Sequence, residues 1–88
     1  MRFEDLVFVH SVDGIKRSRT TFGNFTLSVI QEPKKNSYEA AIMDKDDNFV
    51  KLYGISTGHD DVMPYLSPND VTGIMLKLQL LELAQYNA

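Results

Sequence analysis

The side chains with chemistry to offer are two histidines, twelve carboxylates and nine cations, with no cysteine among them. Without a thiol there is no disulfide framework, no thiolate nucleophile and no cysteine-type zinc site. The densest acidic run, Asp44, Asp46 and Asp47 followed by Asn48, has the opening of a calcium loop. It breaks where that chemistry is strict: Phe49 stands where glycine must turn the chain, and Ile55 where a bidentate glutamate would close the shell. The run therefore reads as a solvated hairpin turn. His59 with Asp60 and Asp61 could in principle hold a metal or serve as a base. Adjacent residues rarely converge on one ion, however, and His10 lies far away with no third ligand at a recognisable spacing. Both histidines read as structural or surface residues. With no serine–histidine–aspartate order, glycine-rich phosphate loop or paired-carboxylate cleft, no catalytic, cofactor-binding or metal residue is assigned, and the chain reads as a non-enzyme.

Lys16, Arg17 and Arg19, with Lys34 and Lys35, make the only basic cluster. Brought together in space they would contact phosphates, with Phe22 and Tyr38 near enough for stacking. A net charge of −3 sets the overall field against non-specific nucleic-acid binding, and such runs are usually solvated loop charges. The opposite surface is offered by Asp44, Asp46, Asp47, Asp60 and Asp61, which suit a basic partner.

These residues need elements to hold them. Eighty-eight residues are one domain, 1–88, with no room for two cores. Residues 6–10 are dense in β-branched and aromatic side chains and read as a strand, followed by the turn signal Asp13-Gly14. Residues 15–21 are an edge strand or a loop. Phe25, Leu27 and Val29 then alternate with Thr26 and Ser28, and strands at 38–43 and 49–53 complete an antiparallel meander. Residues 54–66, with Gly58, Pro64 and two adjacent aspartates, read as irregular. Ser67-Pro68-Asn69-Asp70 is a helix start: a capping serine, proline at the first helical position and an acid at the third. The helix should run over 68–85. The expected fold is α+β, a three- to four-stranded antiparallel sheet packed by one C-terminal helix.

That helix has two greasy sides. At about 100° per residue, Val71, Ile74, Met75, Leu78 and Leu81 form one stripe, and Leu76, Leu80 and Leu83 a second, nearly opposite. Thr72 and Gln79 separate them on one flank, Gly73 and Lys77 on the other. One small sheet buries only one such face. Either residues 55–66, with Val62, Met63, Tyr65 and Leu66, fold over the second stripe, or Leu76, Leu80 and Leu83 are an interface for a protein partner or for a second copy of the chain.

The longest apolar stretch, 74–83, is too short to cross a bilayer and is interrupted by Lys77, Gln79 and Glu82. The N-terminus lacks the pattern of a signal peptide, and a small cysteine-free domain suits a reducing compartment. The expectation is a cytoplasmic protein with no membrane contact.

The order of motifs resembles a group of small phage-encoded proteins of uncharacterised function. The likeness lies in Phe3-Glu4-Asp5-Leu6, Phe25-Thr26-Leu27-Ser28-Val29, Tyr38-Glu39-Ala40-Ala41-Ile42 and the stretch from Asp60 to Val71. Within that stretch, Asp61-Val62-Met63-Pro64-Tyr65-Leu66-Ser67 fits the group's Asp-Val-x-x-Tyr-Leu-Thr/Ser pattern before an acidic helix start. The basic residues at 16–19 and the leucine-rich helix depart from it. The resemblance implies a viral accessory protein that binds and modulates a host factor, in some cases a defence protein, in the bacterial cytoplasm. It supplies no catalytic residues. Nucleic-acid binding through the basic cluster and a small virion or assembly component are the alternatives.

Overall fold

The computed structural model describes residues 1–57 and 60–86. Among them, one helix lies on one antiparallel sheet, the expected α+β class. The strands are β1 (Val9–His10), β2 (Lys16–Phe22), β3 (Phe25–Gln31), β4 (Tyr38–Met43), β5 (Phe49–Val50) and β6 (Val62–Leu66); the helix, α1, is Pro68–Tyr86. They pair in the order β1-β2-β3-β4-β5, and β6 joins the same edge of β4 as β5. β5 takes Ile42 and Met43, and β6 takes Tyr38, Ala40 and Ala41.

The strand count thus exceeds the three to four expected. Residues 6–10 supply only a two-residue strand, because Val7 and Val9 point into solvent and only Val9 and His10 pair. Residues 16–22 are a full strand, in register with β3 from Lys16 opposite Gln31 to Phe22 opposite Phe25. Gly23 makes the tight turn between them at φ +61, a left-handed conformation that glycine takes without a Cβ penalty. β6 was hidden for a physical reason. Its pairing slips by one residue between Tyr38 and Ala40, and Tyr65 takes a left-handed φ of +60. That bulge absorbs the extra residue, so Met63 and Leu66 both face inward although three positions apart.

The core is a single layer. Phe22, Leu27, Val29, Ala40, Ile42, Met63 and Leu66 line the inner sheet face against Val71, Ile74, Met75 and Leu78 of α1. An N-terminal 3-10 turn, Phe3–Asp5, crosses beside the helix. Phe3 there packs against Tyr38 (ring centroids 4.9 Å apart) and Phe8 (5.8 Å). Ser18 breaks the apolar run of the inner face: its hydroxyl is buried and lacks a hydrogen-bond partner among the described residues. Ser18→Ala is therefore expected to raise the unfolding free energy by about 1 kcal/mol, read from the urea midpoint, because it removes an unpaid desolvation cost.

Candidate functional site: the outer face of the C-terminal helix

The helix begins as its sequence dictates. The Asp70 N–H donates to Ser67 Oγ (3.1 Å), and the Ser67 N–H donates to Asp70 Oδ2 (2.9 Å), a reciprocal capping box. The backbone N–H of Ser67, and secondly its hydroxyl, hold the Asp70 carboxyl below its ordinary value of 3.8. A depressed carboxyl stabilises the fold above its unfolded value and loses that contribution as pH falls through the folded value. Ser67→Ala is expected to cost about 1 kcal/mol at neutral pH. Alanine keeps the backbone N–H that dominates the depression and removes only the hydroxyl, so the loss of stability below pH 3.8 should persist and be only slightly flattened, a comparison made by thermal melts across that range.

From this start the two stripes run as expected. The first is sealed against the sheet: Val71, Ile74, Met75 and Leu78 are buried and Leu81 is half-buried. On the second, Leu76, Leu80 and Leu83 remain 47%, 67% and 58% exposed. The described residues of 55–66 do not cover them; Ile55, Met63 and Leu66 join the main core instead.

Both flanks of the helix are fastened, which fixes which side looks outward. On one flank the Phe3 N–H donates to Thr72 Oγ1 (2.9 Å), and the Gln79 side-chain amide donates to the Met1 carbonyl (3.0 Å). On the other, Lys77 Nζ donates to the Gly54 carbonyl (3.1 Å). The chain thus grips α1 at the polar borders between its stripes. Two clefts flank the leucines. One, of about 630 Å³, lies between Leu83, Glu82 and Gln85 and the β2–β3 turn at Gly23 and Asn24. The other, of about 390 Å³, runs past Asn69, Gly73 and Lys77 beside Ile55 and Thr57. In the sequence Gly73 showed as part of the border between the two stripes; its place on the floor of a cleft depends on the path of residues 54–57.

The basic residues do not form an open cationic patch. The Asp13-Gly14 turn abuts the β3–β4 loop, since a Cβ on Gly14 would stand 3.0 Å from Pro33 Cγ. Lys16 and Arg17 therefore share an end of the sheet with Lys34 and Lys35. Yet Arg17 pairs with Asp13 (3.4 Å), Lys35 with Glu32 (2.9 Å) and Arg19 with Asp47 (3.2 Å). The Asp13 carboxyl is held below its usual value by the Ser11 hydroxyl, the Ile15 N–H and Arg17. The Lys35 ammonium is pushed up by Glu32. All of these groups are exposed, so the pairs add little stability, but they place an acid beside three of the five cations.

The acidic groups lie towards one end of β4. Asp44 follows Met43, and Asp61 precedes Val62, which pairs with Ala41. Asp44 Oδ1 accepts from the N–H groups of Asp46 (2.9 Å) and Asn48 (3.0 Å), and Asp47 takes a left-handed φ of +63. This is the hairpin turn read from the sequence, with the Asp44 carboxylate spent on its own backbone. His59 lies outside the described residues; Asp60 and Asp61 are exposed. Among the described residues no group of three or more His, Asp or Glu side chains could hold a metal ion, and no helix is long and apolar enough to cross a membrane. Comparisons with protein-family models, with curated proteins and with solved structures find no match to this chain.

Proposed function

We propose that this chain is a small non-enzymatic interaction protein that works by stoichiometric binding through Leu76, Leu80 and Leu83. In keeping with its resemblance to small phage proteins, it acts on a protein of a bacterial host, in the host cytoplasm. One observation carries the reading: three leucines on one helix face stay half to two-thirds exposed while both borders of that face are hydrogen-bonded to the rest of the chain. A surface of that kind excludes little water by itself and gains free energy only when something covers it. The exposed carboxylates of Asp46, Asp60 and Asp61 add a field that would draw in a basic partner surface.

Nucleic-acid binding has weaker support, because Arg17, Arg19 and Lys35 each face a carboxylate. The test is affinity capture from host lysate, with wild type and the triple variant Leu76→Gln, Leu80→Gln, Leu83→Gln as paired baits. A host protein retained by wild type and lost by the folded variant supports the reading. Identical captures by both baits remove the helix face from it.

A further inference from the structure

The face of the sheet turned away from α1 holds a notch the size of one side chain. Leu27, Val29, Ala40, Ile42 and Met63 point into the core, so the residues between them point the other way. Across the strands these form rows. Ser28 lies opposite Ala41, and Ala41 opposite Val62; Ile30 lies opposite Glu39 on one side of that row, and Met43 opposite Phe49 on the other. Serine and alanine are the smallest side chains of this face, so the middle row sinks between its taller neighbours. The result is a trough of about 150 Å³, with Ser28 and Ala41 in its floor and Ile30, Glu39, Phe49 and Val62 around them.

Its two polar groups are unspent. Among the described residues neither the Ser28 hydroxyl nor the Glu39 carboxylate takes part in a hydrogen bond. The cations beside them are engaged elsewhere. Lys35, which feels the charge of Glu39, holds Glu32 at 2.9 Å. Arg17, in the row of Ile30 and Glu39, holds Asp13 at 3.4 Å. Arg19, opposite Ser28, is drawn towards Met43 Sδ (3.6 Å) and Asp47 (3.2 Å).

We infer that this trough takes the side chain of a lysine on a partner protein. The alkyl stem lies along Ile30, Phe49 and Val62, and the ammonium donates to Glu39 and to the Ser28 hydroxyl. Size selects a side chain over a free ligand: the space equals about five waters, well below the roughly 300–1,000 Å³ of small-molecule sites. Polarity selects lysine. An aliphatic side chain would cover the carboxylate without supplying a donor, and the guanidinium of arginine brings more donors than one carboxylate and one hydroxyl satisfy beside apolar walls. A net charge of −3 favours a basic partner as well. The trough lies across the sheet from α1, so it is a second surface and does not rest on Leu76, Leu80 and Leu83.

The test is a titration of the isotope-labelled full chain, followed by amide chemical shifts, with an end-blocked pentapeptide carrying one lysine between glycines. Saturable shifts are expected at Ser28, Ile30, Ala41, Phe49 and Val62, with a dissociation constant on the order of millimolar for so small a contact. The same peptide with norleucine, which keeps the stem and lacks the ammonium, should bind about tenfold more weakly or worse. Glu39→Gln should weaken the lysine peptide by a similar factor and leave the norleucine peptide unchanged. Ala41→Leu, which fills the floor from the side away from the core, should abolish binding, and the Leu76, Leu80, Leu83 triple variant should bind as wild type does. Shifts that never saturate and spread over Asp44–Asp47 would mean ordinary ion pairing and overturn the inference. So would equal binding of lysine and norleucine, or a Glu39→Gln variant that binds lysine as tightly as wild type.

Discussion

Leu78→Ala is expected to lose about 3–5 kcal/mol of unfolding free energy, whereas Leu80→Ala, two residues on, should change it by less than about 0.5 kcal/mol. The contrast follows from geometry. Leu78 is 1% exposed and sits in the cluster with Leu27, Ile42 and Met75, so truncation removes its transfer free energy and leaves a cavity that a single-layer core has few ways to fill. Leu80 is 67% exposed and gives up almost nothing when shortened. Urea unfolding at a dilution where the chain is monomeric checks both. For a domain of this size the first loss is a large part of the whole stability, so Leu78→Ala should also be poorly folded at physiological temperature.

The second large effect is expected at the N-terminal end. Phe3→Ala should cost about 2–3 kcal/mol, although Phe3 is only half-buried and lies far from α1 in sequence. Its ring stacks edge-on to Tyr38 and tilts against Phe8, and its N–H is one of the bonds that fasten the Thr72 border of the helix. Losing the ring removes two aromatic pairs and frees the strap that carries the backbone donor. Besides the lower urea midpoint, faster amide exchange should appear at Phe3 and along the Thr72 side of the helix, with the Gly54 side unchanged. Uniform exchange around the helix would mean that the strap does not position it.

Much of this was readable in the chain. The helix was, because Ser67, Pro68 and Asp70 satisfy orphan amides in a fixed local geometry and the apolar period then continues from Val71 to Leu83, about three and a half turns. The two leucine-bearing faces were readable for the same reason. Whether the second face would be covered was not, since that depends on the course of residues 55–66. β6 was illegible because Tyr65 in a left-handed conformation replaces the alternation of two with a spacing of three between Met63 and Leu66. One charge pairing was illegible for a similar reason. Arg19 and Asp47 are 28 residues apart and meet only through the registers of β2, β3 and β4, so this pair shows only in the fold.

The most direct measurement is the urea unfolding free energy of the triple variant Leu76→Gln, Leu80→Gln, Leu83→Gln, taken at low protein concentration. If the outer face of α1 lies outside the protomer's core, the value stays within about 1 kcal/mol of wild type with the same denaturant slope. A fall of several kcal/mol, comparable to that of Leu78→Ala, would place these leucines in the core and leave no surface for a partner.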